Sequence, residues 1–109
     1  MLQADALATL MKSLADPTRR AIFERIATQG ELTVGELQRG SHVSQPAVSQ
    51  HVRALKEAGL LAERRHGRNT YYRASPQGLA PLVDWLGHYR SFWRDSLHNL
   101  ERLLKEIDP

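Results

Sequence analysis

The stretch Ser44–Leu60, with the sequence SQPAVSQHVRALKEAGL, carries the residues best suited to chemistry with another molecule. One side of its helical pattern is polar, and polar or basic side chains of this kind exchange hydrogen bonds with base edges and phosphates. We predict that this side enters the major groove of DNA. The alternative is an ordinary amphipathic surface helix that turns its polar side to water. The residues predicted to contact DNA here are Ser44, Gln45, Ala47, Ser49, Gln50 and Arg53.

The same stretch contains signals for where a helix begins and ends. The hydroxyl of Ser44 can accept a hydrogen bond from a first-turn N–H, and Pro46 is tolerated in the first turn. Gly59 can adopt the left-handed conformation that follows many helices. The positions predicted to face a core are Val48, Val52 and Leu55, with the stem of Lys56.

A second basic segment follows at once. Two extended runs, residues 60–65 and 70–74, flank the turn His66–Asn69 and predict a short β-hairpin. Its charged side chains are mostly arginines, which favours a hairpin lying along DNA, with Arg68 at a phosphate or in the minor groove. A merely solubilising hairpin is the alternative. The hairpin residues predicted to contact DNA are Arg64, Arg65, Arg68 and Asn69.

Composition supports one small globular domain of 109 residues with 41% hydrophobic and 25% charged residues. The net charge is +3, yet residues 53–73 hold six basic and two acidic side chains, so the positive charge is concentrated there. The chain lacks cysteine, which excludes thiol catalysis, disulfides and thiolate metal sites. It shows no membrane-spanning run and no signal peptide, so we expect a cytoplasmic protein.

An enzyme is not expected. The sequence has no Gly-rich phosphate loop, no nucleophile elbow and no clustered carboxylate pair, and its five histidines are dispersed.

The elements that must position these residues are mostly helical. A first helix is predicted over residues 2–14, and a second begins at Asp16, with Pro17 in its first turn, and ends at Gly30. Thr33 and Glu36 have capping-box spacing, so a short third helix follows. Helices three and four, residues 34–58 with a short turn between them, make a helix-turn-helix, and residues 60–74 make its wing.

Arg19 and Arg20 occupy the first turn of the second helix, where the helix dipole disfavours positive charge. That placement indicates either a phosphate contact or a solvated pair tolerated at small cost.

The tail, residues 79–107, is predicted to form one helix about 40 Å long with apolar residues at spacings of three and four. This stripe exceeds what a small core needs, so we predict pairing with a second copy; the alternative is a helix folded back on its own domain. The predicted dimer contacts are Leu2, Leu7, Leu86, Tyr89, Trp93, Leu97 and Leu100.

A ligand pocket among the tail aromatics is a further alternative. The expected fold is mainly α with a small β-hairpin, in the order α-α-α-α-β-β-α.

Three sequence segments in this order resemble the ArsR/SmtB family of bacterial winged helix-turn-helix repressors: LADPTR at 14–19, SQPAVSQH at 44–51, and Gly67-Arg68 with Tyr71-Tyr72. The resemblance covers about residues 4–106. It implies a homodimer through the first and last helices that binds an imperfect palindrome near its own promoter, with half-sites about one helical turn apart. It also leaves open a small-molecule inducer.

The sequence differs from the metal-sensing members of the family that it resembles. The cysteine pair before the turn is absent, since that helix reads Glu36-Leu37-Gln38-Arg39-Gly40. Only half of the inter-helix zinc pattern remains, as His98 and Glu101. We therefore expect no metal and no cofactor. The remaining alternatives are a non-standard zinc site on the last helix, which could include Asp84 and His88, or a winged helix that binds proteins.

Overall fold

The computed structural model describes residues 3–107 and contains six helices and one hairpin. The helices are α1 (Gln3–Ala15), α2 (Pro17–Gln29), α3 (Val34–Gln38), α4 (Gln45–Glu57), α5 (Ala80–Gly87) and α6 (Arg90–Ile107). The strands β1 (Leu61–His66) and β2 (Asn69–Ala74) pair antiparallel, and a 3-10 turn (Pro76–Leu79) leads into α5. Leu2, predicted at the dimer interface, lies outside the described residues.

The core lies among α1, α2, α3, α4 and the base of the hairpin. Val48, Val52 and Leu55 of α4 are buried as predicted, whereas Lys56 is exposed and its stem is not part of the core. The buried apolar cluster is Leu10, Ile22, Phe23, Ile26, Leu32, Leu37, Val48, Val52, Leu55, Leu60 and Leu61. One hydrophobic core therefore supports both α4 and the hairpin.

The tail is not the single helix that the apolar periodicity predicts. It consists of the 3-10 turn, α5 and α6, with a break at His88 and Tyr89. At the break the backbone shifts to tighter bonds, from His88 N to the Trp85 carbonyl and from Tyr89 N to the Leu86 carbonyl, each 3.1 Å long. Gly87 precedes the break, and glycine is a poor helix former. Apolar residues keep their spacing of three and four through such a break, so the sequence pattern does not reveal the break.

α6 projects away from the core. Every residue from 83 to 107 is exposed. The radius of gyration is 17.9 Å, compared with about 13 Å for a compact chain of this length. The predicted alternative, a tail folded back on its own domain, is wrong for α6.

Candidate nucleic-acid interface

Helix α4 begins and ends where the sequence predicts. The Ser44 hydroxyl accepts a 3.3 Å hydrogen bond from the backbone N–H of Ala47, and Pro46 lies in the first turn. Beyond the last turn Gly59 has φ +81°, and Leu60 N donates to the Leu55 carbonyl at 2.9 Å. These bonds complete the helix at both ends, so α4 is a rigid support for its exposed side chains.

The outward face of α4 is polar and unpaired. Gln45, Gln50 and Arg53 are exposed, and none has a hydrogen-bond or ion-pair partner within residues 3–107. Ala47 and Ser49 are half-buried at the edges of this face. Since the inner face of α4 is packed, Gln45, Gln50 and Arg53 present hydrogen-bonding groups that are available to another molecule.

Helix α3 completes a helix-turn-helix with α4. The capping box is present: the Thr33 hydroxyl accepts from Glu36 N at 3.1 Å, and the Glu36 carboxylate accepts from Thr33 N at 3.0 Å. The backbone N–H of Thr33, and after it the Thr33 hydroxyl, hold the pKa of the Glu36 carboxyl below its ordinary value of 4.5.

Arg25 of α2 is a structural residue that the sequence analysis does not identify. Its guanidinium donates to three carbonyls at the end of α3 and just beyond it: Glu36 at 2.9 Å, Leu37 at 2.8 Å and Arg39 at 3.2 Å. A cation is favourable at a helix C-terminus. Arg25 therefore fixes α3 to α2. No local signal marks this role, because the partners are 11 to 14 residues away.

The two arginines of the first turn of α2 both have partners inside the protein. Arg19 Nε donates to His51 Nδ1 on α4 at 3.3 Å, and Arg20 Nη1 donates to the Leu14 carbonyl at 2.9 Å. Asp16 caps α2 by accepting from Arg19 N at 3.0 Å, which lowers the pKa of the Asp16 carboxyl. The pair is therefore not simply solvated, since each guanidinium makes a hydrogen bond to another helix. A phosphate contact by either arginine stays a prediction.

The hairpin has the geometry of a wing. His66 pairs with Asn69, so the loop is only Gly67 and Arg68. Gly67 has φ +63° while Arg68 has negative φ, which is the pattern of a type II′ turn. This two-residue loop, among the shortest that join antiparallel strands, thus carries Arg68 at the tip of the wing.

The four wing residues predicted to contact DNA fall into two groups. Arg65, Arg68 and Asn69 are exposed and have no side-chain partner in the part of the chain that the structure describes. Arg64 instead forms a bidentate ion pair with Glu31, with Nε–Oε2 at 3.0 Å and Nη2–Oε1 at 3.1 Å. Of these four residues, the two cations without a partner, Arg65 and Arg68, therefore lie towards the tip of the wing.

The predicted dimer contacts lie on an exposed apolar surface. Leu86, Tyr89, Trp93, Leu97 and Leu100 are each between 37% and 57% exposed, and Leu7 on α1 is half-buried. Edge-to-face contacts order the aromatic rings, with centroids 5.3 Å apart for Trp85 and Tyr89 and 5.5 Å for Phe92 and Trp93.

No three or more His, Cys, Asp or Glu side chains among residues 3–107 form a group that could hold a metal ion. None of the described helices is long and apolar enough to cross a membrane.

A helix-turn-helix with an exposed polar recognition helix, flanked by a two-stranded wing, defines the winged helix-turn-helix class of DNA-binding proteins. A family model described as a helix-turn-helix domain matches residues 14–64. The HTH-type transcriptional regulator Rv2034 of Mycobacterium tuberculosis is 46% identical, over 85% of this chain and 83% of that protein. The arsenical resistance operon repressor of Escherichia coli is 43% identical, over 90% of this chain and 81% of that protein.

A solved structure also matches: the homodimeric winged helix-turn-helix DNA-binding domain of a possible ArsR-family regulator from Mycobacterium bovis. It superposes with a TM-score of 0.65 at 30% identity and covers 81% of each chain. The chain belongs to the ArsR/SmtB family of transcriptional regulators. The predicted fold and the predicted class of DNA-binding regulator are confirmed, and this is not a class of enzymes.

Proposed function

We propose that this regulator is a homodimeric repressor that binds an imperfect palindrome near its own promoter in the cytoplasm and needs no metal to do so. The observation that carries the proposal is that the polar side chains on the outward face of α4 and at the wing tip are exposed and have no partner among residues 3–107. Gln50 and Arg53 supply base-reading and phosphate-binding groups, and Arg65 and Arg68 add positive charge on the wing.

The division of labour follows from side-chain chemistry. A Gln amide both donates and accepts, so Gln50, at the centre of the exposed face, is suited to adenine in the major groove. Ser49 and Arg53 border the wing side of α4, where they line a shallow groove with Glu63 and Tyr72. Arg53, Arg65 and Arg68 supply sequence-independent affinity through phosphates, and Asn69 adds a polar contact beside the tip.

The apolar stripe of α6 supports a homodimer. Trp93, Leu97, Leu100, Leu104 and Ile107 alternate spacings of four and three, which is the pattern of a coiled-coil seam, and all are exposed. A stripe this long on an exposed helix favours a second copy as its cover. The related Mycobacterium bovis domain is a homodimer. Two-fold symmetry would place two α4 helices in successive major grooves, about one helical turn apart.

The donor set supports metal independence. A structural or catalytic zinc ion takes three or four ligands from Cys, His, Asp or Glu. The chain has no cysteine, and His98 and Glu101 on α6 supply only two donors, both exposed.

The test is fluorescence anisotropy of the purified full-length protein on the duplex upstream of its own gene, with a scrambled duplex as the control. Both titrations are run in chelator at near-physiological salt. We expect selective binding to the upstream duplex, at least about a thousandfold tighter than to the scrambled one. Equal weak binding to both duplexes that becomes selective only when zinc is added would refute metal independence. Equal weak binding under both conditions would refute the proposed operator.

A further inference from the structure

The wing is held between two ion pairs of opposite polarity. Glu63 and Arg64 are neighbours in β1, so their side chains point to opposite faces of the hairpin. Glu63 faces α4 and pairs with Lys56 at 2.5 Å. Arg64 faces the other way and pairs with Glu31, which lies between α2 and α3. Each face of the wing is thus tied to a different part of the helix-turn-helix.

The Glu31 side has the more specific geometry. Both carboxylate oxygens of Glu31 accept from the Arg64 guanidinium, and the Arg64 Cζ lies 4.9 Å from the ring centroid of Tyr71, its cross-strand partner. The Arg64 bond is also the main cause that lowers the pKa of Glu31. A bidentate pair that also stacks on an aromatic ring restricts the guanidinium far more than a single exposed contact does.

Backbone bonds place Glu31 beside the wing. Leu32 N donates to the Tyr72 carbonyl at 3.0 Å, and Tyr72 N donates to the Leu32 carbonyl at 2.9 Å. This bridge adds a short third chain segment to β2 near the base of the hairpin. A two-stranded hairpin is marginally stable alone, so these attachments decide where its tip lies.

We infer that Glu31 and Arg64 are positioning residues that set the angle of the wing, and that Arg64 is not itself a phosphate contact. The inference rests on the proposed function, in which Arg65 and Arg68 bind DNA from the tip. Neutralising Glu31 would leave the tip cations in place but let the hairpin swing. A mobile hairpin would have to become ordered when DNA binds. That entropic cost weakens affinity without removing a phosphate contact.

The decisive experiment compares the reversed pair, Glu31→Arg combined with Arg64→Glu, with a charge-matched control, Glu24→Arg combined with Arg64→Glu. Both double variants have the same net charge as the wild type, so a general electrostatic effect on DNA binding cancels. A positioning role predicts that the reversed pair binds DNA more tightly than the control, by about two- to fivefold, which is the range for an exposed ion pair. If Arg64 contacts a phosphate, the reversed pair binds no better than the control. That result would overturn the inference.

Glu31→Gln provides a second comparison, with Glu24→Gln on α2 as its matched control. Both variants remove one carboxylate that pairs with an arginine, but Glu24 pairs with Arg20 on its own helix and not with the wing. We expect Glu31→Gln to weaken DNA binding relative to Glu24→Gln with the salt slope unchanged. Tighter binding by Glu31→Gln than by Glu24→Gln would show that Glu31 withholds Arg64 from DNA, and would overturn the inference.

Amide hydrogen exchange of β1 and β2 in the free protein separates this inference from the proposed function. Glu31→Gln is expected to speed exchange in the wing at least about threefold, while exchange in α4 stays as in the wild type. Unchanged wing exchange would overturn the positioning role. Because no DNA is present, failure of the wild-type protein to bind DNA would count against the proposed function and not against wing anchoring.

Discussion

The Nε of Arg19, in the first turn of α2, donates a hydrogen bond to Nδ1 of His51 on the recognition helix, over 3.3 Å. The sequence favours a local packing or bonding role for His51, but spacing cannot identify Arg19, 32 residues earlier, as its partner. In the structure it links α4 to the helix behind it, so it helps to hold the recognition helix in its orientation.

Removing this link is expected to cost stability without abolishing the fold. His51→Ala deletes the acceptor and should lower the free energy of unfolding by about 0.5–1.5 kcal/mol, the usual net worth of one hydrogen bond. Urea denaturation measures the change. His51→Asn keeps an acceptor oxygen near the Nδ1 position and should retain most of the stability. Equal losses in both variants would indicate that ring packing, and not the Arg19 bond, is what matters.

Arg68 at the wing tip is expected to contribute affinity that does not depend on sequence. Arg68→Ala should weaken binding to the operator and to scrambled DNA alike, and should reduce the salt slope by about one counterion. Anisotropy titrations at several salt concentrations measure that slope. Lys105→Ala on α6 makes the same change in net charge away from the wing. An equal reduction in slope for Lys105→Ala would show that Arg68 acts only through total charge.

Gln50 is expected to contribute discrimination instead. Gln50→Ala should lose about 1–3 kcal/mol of preference at specific base pairs while scrambled DNA binds as before. Competition between operator duplexes with single base-pair changes measures this preference. Gln29→Ala, at the exposed end of α2, is the matched control. An unchanged preference profile in Gln50→Ala would mean that Gln50 does not read a base.

The α6 stripe is expected to be the main dimer contact. Leu100→Glu places a charge within the stripe and should shift the protein from dimer to monomer in sedimentation velocity, with weaker operator binding as a consequence. His98→Glu introduces the same charge on the polar side of α6. We expect that variant to remain dimeric. A dimeric Leu100→Glu protein would contradict the stripe as the interface.

Acid is expected to destabilise the fold through carboxylates whose native pKa values are lowered, among them Glu31 and Glu36. Arg64 lowers the pKa of Glu31, and the bonds with Thr33 lower that of Glu36, each from 4.5. The stability that each supplies is fully present above pH 4.5 and is lost as the pH falls through the lower native value. Denaturant titrations at pH 6 and pH 3.5 measure the loss. A smaller loss is expected in Glu36→Gln, and an identical loss there would exclude the capping box as a contributor.

Short-range signals in the sequence were sufficient for the helix-turn-helix and its caps. Ser44, Thr33 with Glu36, and Asp16 each act within three residues of their partners, so spacing alone predicts their bonds, and all three are present. The burial of Val48, Val52 and Leu55 follows from helical periodicity for the same reason. The DNA contacts of Gln50 and Arg68 and the dimer contacts of α6 were predicted by the same reasoning and stay predictions.

Tertiary structure alone decided which charged side chains are available to another molecule. Local spacing cannot distinguish Arg64 from Arg65, yet Arg64 meets Glu31, 33 residues away, while Arg65 has no such partner among residues 3–107. Arg19 and Arg25 likewise make hydrogen bonds to partners 11 to 32 residues away in the sequence. The break at His88 also escaped the sequence, because an apolar stripe keeps its period across one tightened turn. Patterns in the sequence define elements and faces, whereas ion pairs between elements depend on how the packed core brings distant side chains together.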